Sequence, residues 1–302
     1  MELNKDADID TSQVKDARGS GGGFGRGGGL SGIPIPVGGG IVGTLLVIGL
    51  VVLGSVLGPR LYGDNDQGNL AETCSSANPE RLEETECRNT LYVNSIQMYW
   101  QQAMPQTFGR QYQMTDTVFF SQAVSTGCGT ADSGVGPFYC PNDKQVYIDL
   151  SFYDELASRF GAKGEFAQPY VLAHEYGHHL QNLLGTSGDV ARRQQRDPDA
   201  ANDLSVRLEL QADCLAGVWA KHASSTTDAK GVPIFSRLTQ ADIDEALNAA
   251  AAIGDDRIQE KSGMEVDESK FTHGTAEQRK RWFSNGYTSG DGGQCNTFSG
   301  TI

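Results

Sequence analysis

Residues 171–180, V-L-A-H-E-Y-G-H-H-L, constrain the fold more than any other stretch of this 302-residue chain. On a helix, residues four apart fall on neighbouring turns of one face. His174 and His178 can therefore present imidazole nitrogens to a single ion, while Glu175 stands beside that ion without binding it. A base that deprotonates metal-held water must stand there. The flanks read as a buried helix: Pro169 suits its first turn, Val171, Leu172, Leu180, Leu183 and Leu184 give apolar faces, and Gly185 suits its C-terminal cap. Small Ala173 and Gly177 leave room for a second backbone. A bare H-E-x-x-H also arises by chance, so the helical, apolar setting carries the weight. His179 points about a quarter-turn away from His178 and reads as a packed or hydrogen-bonded structural histidine.

The second informative stretch is residues 204–220, L-S-V-R-L-E-L-Q-A-D-C-L-A-G-V-W-A, a helix with apolar residues nearly all the way round. Such helices are buried, and a buried carboxylate must be paired or bound to metal. Glu209 and Asp213 share one stripe with Ala212, Ala216 and Ala220, small residues that let this helix approach Ala173 and Gly177. Glu209 can then complete a His2Glu zinc site. Asp213 becomes the group that accepts a hydrogen bond from the non-coordinating nitrogen of a histidine ligand. The reverse assignment, Asp213 on the metal and Glu209 orienting, is the runner-up because glutamate has the longer reach. In a purely structural reading both acids pair with arginines such as Arg207 or Arg279.

Outside these helices the chain divides by composition. Residues 1–32 are polar and then glycine-rich, with too few apolar groups to offset the entropy of ordering them, and read as a flexible, disordered tail. Residues 33–58 contain the run 41–57, apolar enough to cross a bilayer as one helix, and residues 59–73 are a juxtamembrane linker. Lys15, Arg18 and Arg26 before the run, against Arg60 close after it, favour a cytoplasmic N-terminus and an extracytoplasmic domain over residues 74–302. The net charge of −14, without clustered Lys and Arg, argues against a nucleic-acid partner. All six cysteines follow the apolar run, which agrees with an oxidising compartment. Locality pairs Cys74 with Cys87 and Cys128 with Cys140. Elimination leaves Cys214 with Cys295, unless Cys214 is a buried thiol.

Elsewhere the pattern predicts a helix over residues 79–104, with Leu91, Ile96, Tyr99 and Trp100 apolar and Pro105 ending it. Strands follow at 118–124 and 145–150, the second turning Val146, Ile148 and Leu150 inward. Lying just ahead of the metal helix, that second strand is a candidate edge for an extended peptide; an ordinary core hairpin reads equally well. A short helix is expected over 152–160 and a turn over 161–164. Residues 186–203, with Arg192, Arg193 and Arg196, read as an exposed excursion, either attracting acidic substrates or merely solvated. Residues 239–253 read as a capped scaffolding helix. His222 suits a helix end, and the C-terminal loop is tied down by Cys295.

Several segments together, H-E-Y-G-H-H at 174–179, R-L-E-L-Q-A-D-C at 207–214 and F-T-H-G-T-A-E-Q-R-K-R-W-F at 271–283, resemble the "putative neutral zinc metallopeptidase" family of bacterial single-span membrane proteins. The likeness extends to G-C-G at 127–129 and G-P-F-Y-C-P at 136–141. It implies an α+β, zincin-like metallopeptidase domain, mainly helical with a small sheet, acting on protein or peptide substrates with one zinc ion. The E-x-x-x-D element resembles that of gluzincins, which supports Glu209 as ligand and Asp213 as orienter. The T-H-G…R element resembles their C-terminal motif. By that likeness His273 would hydrogen-bond the developing oxyanion and Arg279 would hold the loop or a site carboxylate. Read without the likeness, His273 is a surface turn residue.

The expected chemistry is metal-assisted hydrolysis. Zinc held by His174, His178 and Glu209 leaves a place for water, whose pKa such a site lowers to about 7, and Glu175 takes and returns the proton. The competing reading is a membrane-tethered scaffold whose zinc is structural. Glu175 discriminates, because a structural site has no need of it.

Overall fold

The computed structural model describes residues 1–19 and 67–302. The expected bilayer-crossing run, the glycine-rich stretch before it and most of the linker lie outside the described residues. Among the described residues no helix is long and apolar enough to cross a membrane.

The first nineteen residues correct the expectation of a disordered tail. Strand β1 (Glu2–Leu3) pairs antiparallel with β8 (Phe235–Arg237), and β2 (Val14–Asp16) runs parallel to β3 (Thr117–Phe119). Composition misjudged this segment because its partners come from elsewhere. Ala7 and Val14 bury in the main core, while side chains of the later chain satisfy its backbone: Arg81 donates to the carbonyls of Lys5 and Ala7, and Asn94 bonds both the N–H and the carbonyl of Asp10.

After α1 (Gln67–Thr73), α2 spans Thr85–Phe108, one turn beyond the predicted stop at Pro105. The proline removes only its own N–H; the helix ends instead at Gly109, whose left-handed conformation (φ 66°) lets its N–H cap the Pro105 carbonyl. The predicted strand over 118–124 breaks at Gln122 (φ 67°), separating β3 from β4 (Ala123–Thr126). A hairpin joins β4 to β5 (Gly129–Asp132), and the Cys128–Cys140 disulfide ties it to β6 (Phe138–Cys140).

β7 (Gln145–Ile148) was the candidate edge, yet it lies inside the sheet, which has the order β2-β3-β7-β6 with β3 and β7 parallel and β6 antiparallel. Its sequence shows why: Val146, Tyr147 and Ile148 are all buried, Val146 and Ile148 against the helices and Tyr147 against Phe138 and Val118 on the other face. The edges of the sheet are β2 and β6.

Helices α3 (Phe152–Ser158) and α4 (Ala167–Leu184) follow, with Pro169 in the first turn of α4 and Gly185 (φ 86°) as its cap. The polar excursion is itself a helix, α5 (Thr186–Arg196). α6 (Ala201–His222) packs on α4 and more extensively on α9 (Ala276–Ser289); α7 (Gln240–Ala252), capped by Thr239 as expected, and α8 (Asp255–Lys261) close the bundle. Small residues set these crossings. A Cβ added to Gly177 would lie 2.9 Å from the Ala212 Cα. Disulfides pair Cys74 with Cys87 and Cys214 with Cys295, the latter anchoring the C-terminal loop to α6.

Candidate metal centre

The crossing of α4 and α6 brings one donor atom each of His174, His178 and Glu209 within 4.8 Å of one another, all three residues buried. The Nε2 atoms of the two imidazoles face one carboxylate, His174 at 3.1 Å from Glu209 Oε2 and His178 at 3.5 Å from Oε1. Hydrogen bonds at the far side of each ring fix which nitrogen is free. His174 Nδ1 donates to Asp213 Oδ1 (2.9 Å) and His178 Nδ1 donates to Gln181 Oε1 (2.8 Å), so Nε2 is the nitrogen of each ring that would meet a metal in the space beside Glu209. His178 Nε2 is buried without a hydrogen-bond partner, an arrangement that is costly unless something else binds there. Two nitrogens and one carboxylate oxygen suit zinc and leave a fourth position open.

The electrostatics favour positive charge at the same point. Burial alone would lower His174, but the Asp213 charge and the hydrogen bonds that the ring donates to Asp213 and Glu209 lift it to about 10. Burial likewise opposes ionisation of Glu209, yet the two histidines hold it well below the ordinary carboxylate range. Glu175 behaves oppositely: burial raises it, and its Oε2 is buried and unpartnered. A carboxylate with a raised affinity for protons and a free oxygen suits proton transfer.

Asp213 has two duties. Besides His174 it accepts from the Tyr170 hydroxyl (2.6 Å) and from Arg279 Nε and Nη2 (2.8 and 3.0 Å). Burial would raise its pKa, but Arg279 and His174 hold it at about 2. The structural reading of the acids thus applies to half the pair: Asp213 does pair with Arg279, whereas Glu209 faces the histidines and Arg207 binds Asp203 and C-terminal carbonyls.

His273 is buried rather than on a surface turn. It lines a cavity of about 60 Å³ together with His174, Glu175, His178 and Glu209. Asp255, which sequence reasoning missed, sets its position. Oδ2 accepts the N–H groups of Thr272 (2.7 Å), His273 (2.6 Å) and Gly274 (3.0 Å), while Oδ1 lies 3.2 Å from His273 Nδ1. No local pattern marked it, since Asp255 starts α8 eighteen residues upstream. Gln181 was also missed, although its place one turn after His178 offered a signal. Phe152, Phe160, Ile253 and Ile258 also line the cavity, so charges inside interact with little screening by water.

The remaining histidines are structural. His179 Nε2 donates to the Gln113 carbonyl (2.7 Å) and Nδ1 accepts from Tyr139 (3.0 Å), and His222 donates to the Gly290 carbonyl (2.9 Å). The arginines of α5 do not line the cavity; Arg192 pairs with Asp189.

Two imidazoles and a carboxylate on crossed helices, with a second carboxylate alongside, make up the side-chain set of an H-E-x-x-H metal centre. The chain belongs to the "putative neutral zinc metallopeptidase" family, whose sequence profile matches residues 4–298 and so takes in most of the N-terminal segment. It is 42% identical over 296 residues to the uncharacterized protein YpfJ of Escherichia coli (strain K12), covering 97% of this chain and 98% of that one. Over 233 residues it is 45% identical to an uncharacterized protein of Mycobacterium tuberculosis (strain H37Rv), covering 76% of each. No solved structure matches this chain.

Proposed function

We propose that this protein is a zinc-dependent endopeptidase with a zincin-like catalytic centre. The observation that carries the reading is the convergence of His174, His178 and Glu209 beside the unpartnered Glu175 Oε2 in one cavity. A structural zinc site would fill its fourth position with protein and would need no such base.

His174, His178 and Glu209 would hold the ion. When bound, zinc supplies Lewis acidity, which at sites of this type brings water's pKa to about 7. Glu175 accepts the attacking water's proton and returns it to the leaving amine nitrogen; its raised pKa suits both transfers. Asp213 and Gln181 keep protons on the Nδ1 atoms, so the Nε2 atoms stay available. His273, fixed by Asp255, donates a hydrogen bond to the carbonyl oxygen as negative charge develops there.

The test is cleavage of casein or a peptide library by the full chain, with zinc measured per chain. Wild type is expected to cleave with one zinc bound, and Glu175→Gln to keep the zinc while losing at least about a hundredfold in rate. Fully zinc-loaded wild type that cleaves nothing would favour the scaffold instead. Loss of zinc from Asp213→Ala but not from Glu209→Ala would reverse the ligand assignment.

A further inference from the structure

We propose that residues 1–19 are a permanent part of the metal domain, and hence that the N-terminus lies in the same compartment as that domain, not across a bilayer from it. The inference is independent of catalysis and rests on how much of the later chain is built around this segment. β2 follows β3 in parallel register, Val14 beside Thr117, Lys15 beside Val118 and Asp16 beside Phe119, and the Ala17 N–H extends the ladder to the Phe119 carbonyl (2.8 Å). Upstream, the Asp8 N–H donates to Asp228 (2.7 Å) and the Asn4 N–H to the Ile234 carbonyl (2.9 Å).

Removing the segment would strand the groups that receive it. Gln97 is fully buried and bonds Gln13 (2.9 Å), Asn94 is 3% exposed and bonds Asp10 on both sides, and Arg81 is 6% exposed with its Nη2 on the two N-terminal carbonyls. The β3 edge, with Val118 and Phe119 wholly buried, would become an open sheet edge. These are the features of an internal domain surface.

Two of the three cations that suggested a cytoplasmic N-terminus have local uses; the third, Arg26, lies outside the described residues. Lys15 pairs with Asp116 (2.6 Å), and Arg18 pairs with Asp16 (2.6 Å) and Glu86 (3.3 Å). The presence of Lys15 and Arg18 is explained by the fold, without a role in membrane orientation. Helix α1 lies next to β2, so the described chain on either side of residues 20–66 meets at one place in the domain. A single crossing between those points would put β2 and β3 on opposite sides of the membrane. The three disulfides favour an oxidising compartment for the domain, and the N-terminus would share it.

All six cysteines are disulfide-bonded, so one added thiol is unique. The experiment expresses the full chain carrying Asp6→Cys or Gln101→Cys, both at exposed positions, and labels intact spheroplasts with a membrane-impermeant maleimide. Both thiols are expected to label alike: both in intact spheroplasts, or both only after permeabilisation. Labelling of one from outside while the other waits for permeabilisation would overturn the proposal. A second readout needs no variant. In the purified full chain the amides of residues 14–17 are expected to exchange with deuterium as slowly as those of β3, and rapid exchange would overturn their permanent place in the sheet.

Discussion

The carboxylate of Asp213 holds the outer nitrogen of His174 at 2.9 Å while Arg279 grips the same carboxylate through two nitrogens at 2.8 and 3.0 Å. One acid therefore sets the tautomer of a proposed metal ligand and neutralises an almost fully buried guanidinium. The two duties separate by mutation. Asp213→Ala is expected to weaken zinc binding by about 10–100-fold, as loss of an outer partner does, and to cost about 3–5 kcal/mol of stability because Arg279 is left unpaired. Adding Arg279→Met is expected to restore much of the stability and none of the affinity. Chelator competition and denaturant unfolding read the two quantities. Recovery of affinity in the double variant would contradict the orienting role.

Gln181 does for His178 what Asp213 does for His174, with a neutral group. Its Oε1 accepts from Nδ1, and its own amide is held by the Leu208 carbonyl at 2.6 Å. Gln181→Leu keeps the bulk and removes the acceptor, so zinc affinity is expected to fall by about 10–100-fold. Zinc-loaded Gln181→Leu is expected to retain most of its cleavage rate, because Glu175 is untouched. Unchanged affinity by competition titration would show that the ring is positioned by packing alone.

Sequence revealed the parts of this site whose geometry is local. His174, Glu175 and His178 share a face by helical spacing, and Glu209 and Asp213 stood out as acids in a helix too apolar to carry them unpaired. What it hid was set by partners distant along the chain. Asp255 reaches His273 across a turn with no fixed spacing, β7 is internal because β6 folds back antiparallel on it, and β3 is internal because residues 14–16 reach it from the far end of the sequence. The N-terminal segment looked unfoldable because its own composition omits Arg81, Asn94 and Asp228, which hold its backbone.

Glycines at the crossing of α6 and α9 keep Glu209, Asp213 and Arg279 in register. A Cβ on Gly286 would lie 1.9 Å from the Cys214 carbonyl oxygen, and one on Gly217 would lie 2.1 Å from that of Phe283. Backbone atoms cannot swing away, so Gly286→Ala must push the helices apart. It is expected to lose about 1–3 kcal/mol or more of stability, and zinc affinity with it. Gly188→Ala in α5 is the control: its Cβ would meet only the tip of Arg192 at 3.4 Å, and alanine suits a helix by up to about 1 kcal/mol. Thermal unfolding of both variants decides; equal melting temperatures would refute the close crossing.

His179 gives a pH dependence distinct from that of the ligands. Burial is the main force that holds it down at about 4, against the ordinary 6.5, since protonation would also place a hydrogen on the nitrogen that accepts from Tyr139. Above 6.5 the ring is neutral in folded and unfolded chains alike and contributes no slope. As the pH falls from 6.5 towards 4 the unfolded chain takes up the proton first, so folding weakens, by a total on the order of 3 kcal/mol. His174 titrates in another window: raised to about 10, it stabilises the metal-free protein most fully below 6.5 and loses that contribution as the pH climbs towards 10. The difference between chelator-treated wild type and a His179 variant, unfolded by denaturant between pH 4 and 6.5, therefore isolates His179, since the slope from the raised Glu175 is common to both. A His179→Gln variant is expected to be less stable at neutral pH but to show a flatter acid limb than wild type, and parallel limbs would mean that His179 is protonated in the fold.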